Sequence, residues 1–214
     1  MNGVIDNDVL FKGICYGLLA ELADYVGGGQ SIGVLGAARF VVARTIRRRP
    51  TAQDTTTLLT VLDGFLKGAI AIEPDSVEEQ LAADLQLAAQ LRGLALDTGE
   101  SQLCAVCIVR DIAVLLTGDK QAIAAMEQLS GAEPRLLVLA AKVRCLEQAI
   151  LSISTRMDHH DLRGRVCKER DVDMALSMCF SCWSSDTSAD AVRIGLRSYI
   201  ESLRGEATRM LAAS

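Results

Sequence analysis

The chain has 214 residues, room for one substantial core or for a domain of about 150 residues with an extension. Half of the residues are hydrophobic but only 4% are aromatic, so the core must rest on Leu, Ala, Val and Ile, which favours a helix-rich α/β protein. A formal charge of −5 excludes a general electrostatic grip on nucleic acid and leaves any such contact to a local basic patch.

Asp6 and Asp8 interrupt the apolar character of the N-terminus at once, so nothing there reads as a signal peptide. No apolar run reaches the roughly 18 residues of a membrane span. A soluble, cytoplasmic protein with no membrane partner is the expectation. The seven cysteines, an odd number scattered over apolar stretches and a C-terminal group, are expected as reduced thiols rather than a disulfide framework.

In chain order, Gly3-Val4-Ile5 reads as a short strand ending at Asp6, and Leu10 to Val26 as one helix stopped by Gly27-Gly28-Gly29. Ile32 to Arg49 reads as a second helix, apolar on Val34, Leu35, Ala38, Val41, Val42 and Ile46 and halted by Pro50. Thr51 is the expected N-cap of a helix to Lys67, followed by a strand over Ala69–Ile72. A capping box of Ser76 with Glu79 opens a helix from Val77 to Arg92, and Thr98-Gly99 opens another that carries Glu100 in its first turn. Ala113 to Leu116 is a third strand ending near Asp119, Gln121 to Leu129 a helix, and Arg135 to Leu139 a fourth strand. The β-α-β alternation implies a parallel sheet buried on both faces. Beyond about Ala140 helices are expected over Val143–Ser152, Asp171–Phe180 and Ala189–Leu211, with breaks at Asp158–Asp161 and Ser184–Ser188.

Asp6, Glu100 and Asp119 lie just past short apolar runs or at the head of a helical stretch. Ligands of an open α/β sheet bind outside the carboxyl ends of the strands, so acids distant in sequence can converge there. Oxygen ligands of this kind suit Mg or Mn and phosphoryl chemistry. Asp8 and Asp97 lie within three residues of Asp6 and Glu100 and are further candidates.

These strings resemble the PIN-domain nucleases over roughly residues 1–145: Asp6 followed by Val9-Leu10, Gly99-Glu100-Ser101 at a helix start, and Leu116-Thr117-Gly118-Asp119 at a strand end. The resemblance implies a three-layer α/β/α sandwich with a short parallel sheet; residues 146–214 lie outside it and read by their own pattern as a helical C-terminal extension. It implies that Asp6, Glu100 and Asp119 hold one or two Mg or Mn ions and activate water to cut the phosphodiester backbone of RNA, single-stranded or structured. The family's second acid has no obvious counterpart; Glu21 in Leu18-Leu19-Ala20-Glu21-Leu22 has the expected surroundings but comes early, and Asp54, Asp63 and Glu73 are other choices. Many small members of the family are toxins held by an antitoxin peptide, so an antitoxin or another protein partner is implied in turn.

Two alternatives use the same residues. A degenerate PIN domain would bind RNA or protein without cutting. A haloacid dehalogenase-like phosphatase would use Asp6 as nucleophile and Asp8 as general acid, but the acid that family places four residues after Gly118-Asp119 is Ile123 here.

Arg39, Arg44, Arg47, Arg48 and Arg49 form a local basic patch suited to a phosphate backbone, with Arg44 and Arg47 the expected contacts; the plain reading is a solvated helix end. Thr117 and Ser101 are candidate hydroxyl donors to substrate. His159, His160, Cys167, Cys179 and Cys182 offer soft ligands, but a single Cys-x-x-Cys with irregular partners argues against structural zinc. The amphipathic C-terminal stretch is expected to clasp the domain or a second copy of it, as in a homodimer.

Overall fold

The computed structural model describes residues 1–213. Five parallel strands, β1 (Gly3–Ile5), β2 (Ile32–Leu35), β3 (Ile70–Ile72), β4 (Val114–Thr117) and β5 (Val143–Cys145), form one sheet in the order β3-β2-β1-β4-β5. Helices α1 (Asn7–Tyr16), α2 (Leu19–Gly27), α3 (Ala38–Arg48), α4 (Thr55–Leu66), α5 (Ser76–Gln90), α6 (Thr98–Val109) and α7 (Lys120–Leu129) connect the strands, and α8 (Leu146–Ile153), α9 (His159–Lys168), α10 (Met174–Cys179) and α11 (Ala189–Glu206) follow. The fold is a three-layer α/β/α sandwich.

Strand alternation builds the layers. Ile5, Val34 and Leu116 face one core with α1 to α4, while Val4, Leu35 and Leu115 face the other with α5, α6 and α7. Strands buried on both faces carry no polar alternation, as expected for parallel pairing. No core boundary falls at residue 145. Leu146, Ile150, Leu162, Val166, Leu176 and Phe180 join the first core, and α11 gives Val192 and Leu196 to the first and Ile200 and Leu203 to the second. Among the described residues no helix is long and apolar enough to cross a membrane.

Several local expectations are corrected. The helix foreseen over 10–26 is two, because Gly17 adopts φ 63° and closes α1 with its N–H on Gly13 and Ile14 carbonyls. The first four residues of the helix foreseen over 32–49 are β2, and the first three of that over 143–152 are β5; β2 is short, apolar and buried throughout and β5 is only three residues long, so helical and strand periodicity look alike. Asp54, not Thr51, caps α4, and the capping box of α5 is Asp75 with Glu78, not Ser76 with Glu79. The strand foreseen at 135–139 is a 3-10 turn, Pro134–Leu139, with proline at its start. In the C-terminal part, α10 and α11 are shorter than the stretches foreseen for them, and Asp158–Asp161 is the capped start of α9 rather than a break.

The thiols are also corrected. Packing of α9 against the turn after α10 brings the Cα atoms of Cys167 and Cys182 to 4.9 Å, and the two form a disulfide, a proximity that spacing alone does not reveal. The other five cysteines are free and buried.

Candidate acidic cleft

Three helix N-termini meet beyond the carboxyl ends of β1 and β4. Asp6 ends β1 and caps α1, its Oδ1 accepting from Asn7 N at 2.6 Å. Asp119 caps α7, its Oδ1 accepting from Gln121 N and Ala122 N. Asp97 caps α6 in a reciprocal box: Glu100 N donates to Asp97 Oδ1 and Asp97 N to Glu100 Oε2, each at 2.8 Å. The positive ends of these helices favour the anions.

Thr117 couples two of the acids. Its buried hydroxyl donates to Asp6 Oδ2 and accepts from Asp119 N, both at 3.1 Å. Asp6, Asp8, Asp97, Glu100 and Asp119 line one cleft of about 260 Å³, with Phe11, Val41, Thr45 and Arg49 across from them. Asp6 forms the buried floor, and Asp97 and Asp119 the exposed rim. The Arg49 guanidinium lies 5.6 Å from the centre of the Phe11 ring. A larger cavity, about 620 Å³, lies against α8 and α11 with Glu201 as its one acid, so size does not mark the chemistry here.

Crowding shows in the proton affinities. Burial, and after it the neighbouring Asp8, push the Asp6 carboxyl up to about 6. Burial likewise lifts Glu100, with Asp97, Asp119 and Asp6 adding to it against the backbone hydrogen bond from Asp97, to about 8. The donor set is all oxygen, in keeping with Mg²⁺ or Mn²⁺. Among the described residues no three His, Cys, Asp or Glu side chains are gathered tightly enough to hold one ion as placed. The caps account for this, since each draws one carboxylate oxygen of Asp6, Glu100 and Asp119 back to the backbone. A cation would compete with those caps, and in return would relieve the repulsion that lifts Asp6 and Glu100.

The remaining expected residues divide. Glu21 lies on α2 and lines a separate cavity with Asp24, Arg156 and Met157, because the break at Gly17 carries α2 away from α1. Asp54 is occupied as the cap of α4, Asp63 lies on that helix, and Glu73 follows β3; none lines the cleft. Ser101 is wholly buried and its hydroxyl has no partner among the described residues, so it does not face a substrate. Arg44 and Arg47 are exposed on α3 but outside the lining, where Thr45 and Arg49 stand instead. In the C-terminal group Cys182 is bonded to Cys167, and His159 Nε2 lies 2.7 Å from Thr187 O, which removes three of the soft ligands.

Sequence reasoning passed over the Asp97 box, although Asp-x-x-Glu before an apolar run is its ordinary signature. Nothing local signals Thr45, or the contact between Lys12 and Asp173 described below. Comparison with protein-family models, with curated proteins and with solved structures gave no match.

Proposed function

We propose that this chain is a PIN-like, Mg²⁺- or Mn²⁺-dependent endoribonuclease. The observation that carries the reading is the crowding of five carboxylates, from three helix N-termini, around one cleft at the carboxyl ends of the central strands. The bound cation would supply Lewis acidity at the phosphoryl oxygen and a nucleophilic water at neutral pH.

The chain's own residues hold the acids and receive the strand. Thr117 keeps Asp6 and the start of α7 in fixed relation, and Asp97 holds Glu100 against the head of α6. Asp6, Glu100 and Asp119 are the ligands in this reading, with Asp8 and Asp97 beside them. Facing them, α3 presents Val41, Thr45 and Arg49 to the cleft and Phe40, Arg44, Arg47 and Arg48 to solvent. Among the described residues none of the arginines of this helix and its end is ion-paired, whereas Arg110, Arg135, Arg156 and Arg165 all are. Unpaired guanidinium groups with an exposed aromatic ring fit a single-stranded backbone and its bases.

Two other readings divide on particular residues. A binding module without cleavage is favoured by the Glu100 carboxylate already closing a capping box. The phosphatase reading lacks its further acid, since Ile123 is buried and apolar. Cleavage of single-stranded RNA with added Mn²⁺ or Mg²⁺, comparing wild type with Asp6→Asn and Asp119→Asn, tests the proposal. Metal-dependent cutting abolished by both substitutions is expected. Folded wild type that cuts none of a varied RNA set with either ion overturns it, and phosphate release from small monoesters would favour the phosphatase.

A further inference from the structure

The C-terminal helices reach the acidic cleft through one buried ammonium group. Lys12, one turn after Asp8 on α1, places Nζ 2.6 Å from Asp8 Oδ2 and 2.7 Å from Asp173 Oδ2. The side chains of Lys12 and Asp173 are only 9% and 10% exposed, so neither partner is a casual surface contact. Asp173 caps α10, Oδ1 accepting from Leu176 N at 2.9 Å, which leaves Oδ2 for Lys12. A second cavity, about 410 Å³, shares Asp8, Arg49 and Asp119 with the cleft and is walled on its far side by Val172, Asp173 and Met174.

A buried ion pair is a poor device for stability alone, because desolvation offsets most of the attraction. Its geometry does constrain Asp8. A Cβ at Gly118 would fall on Asp8 Oδ2 and stand 3.2 Å from Lys12 Nζ, so the carboxylate is wedged between the backbone of the β4–α7 turn and the ammonium. Lys12 alone would cancel the charge of Asp8 and repel a cation; Asp173 balances it and leaves the cleft anionic.

We infer that Asp173 is a positioning residue of the acidic cleft, fixing the Asp8 carboxylate through Lys12, so that the C-terminal helices complete the site. The inference rests on the nuclease reading and assigns residues 146–214 a part in it. Asp173→Asn removes the charge but keeps a side chain that caps helices well. Mn²⁺ affinity, measured by calorimetry in the absence of RNA, should weaken about tenfold or more, the usual effect of losing a group that orients a ligand. In an Asp8→Asn background, which still carries Asp6, Glu100 and Asp119, the same change should cost markedly less, because only the charge of Asp173 and no longer its hold on Asp8 is lost.

An equal loss in both backgrounds, or none in either, overturns the inference, since a purely structural role would not depend on Asp8. If Asp173→Asn fails to fold, Lys12→Met with Asp173→Asn removes the buried pair as a unit, and the same comparison of backgrounds decides. Wild type that binds no Mn²⁺ removes the nuclease reading and the inference together, and is distinguished by that first titration.

Discussion

Thr117 serves two carboxylates with one hydroxyl, which makes it the most sensitive small residue of the cleft. Thr117→Val keeps the shape but leaves Asp119 N without its acceptor and takes the Thr117 donor from Asp6 Oδ2, an expected loss of about 1–3 kcal/mol in chemical unfolding. Because that hydrogen bond lowers the Asp6 pKa, the variant should also titrate Asp6 higher by NMR. Asp6 and Glu100 both take up protons more readily folded than unfolded. Their contribution to stability is therefore full below the ordinary carboxylate range and lost as pH rises through about 6 and about 8. Melting temperature should fall across that window, and Glu100→Gln should flatten the upper part of the slope; an unchanged profile in the variant would refute the assignment. Asp6, Glu100 and Asp119 were legible because each sits in a short local string at an element end. Glu21 was misplaced because its string resembled the expected one, while the turn at Gly17 decides where α2 points. Arg49 was legible only as one of a run of arginines, and Asp173 not at all, since each owes its place to contacts across the fold.

At the scale of elements, the helices and the parallel sense of the sheet were more legible than the short strands, and the strand order was not legible at all. β1, β3 and β4 were foreseen because an acid, a glycine or a turn marks their ends. β2 and β5 run on into a helical stretch with little to separate them, so apolar periodicity merged strand and helix. The merging of β2 with α3 hid where the basic helix begins, although its end at Arg49 was visible. The face of α3 can be tested apart from catalysis. In protein inactivated by Asp6→Asn, Arg44→Ala with Arg47→Ala should weaken binding of single-stranded RNA across sequences and reduce the salt slope by about one for each residue removed. A salt slope equal to that of the Asp6→Asn parent would remove α3 from the RNA path.

On the scale of the whole molecule, the expected division at residue 145 does not describe how the core is built. Both cores take side chains from beyond it, and Glu169 accepts from Ala52 N and Gln53 N as Glu127 does from Arg209 N and Met210 N. A chain ending at residue 145 should lose its cooperative thermal transition; a sharp transition in that fragment would show an independent domain. Replacing Cys167 and Cys182 by Ser reopens a loop with a sequence separation of 15 and should cost about 3 kcal/mol of stability. The path of the last residues also governs how the sheet meets other chains. Leu211 bridges in parallel to Val143, Ala141 N and Val143 N donate to Arg209 O and Met210 O, Ala212 N donates to Val143 O, and Gln148 Oε1 accepts from Cys145 N. The β5 edge is thereby covered by residues 209–212, whereas β3, with Ile70 41% exposed, is the opposite edge strand of the sheet. Any further strand added to this sheet would have to join at β3, and with only three residues there the edge offers it little to pair with.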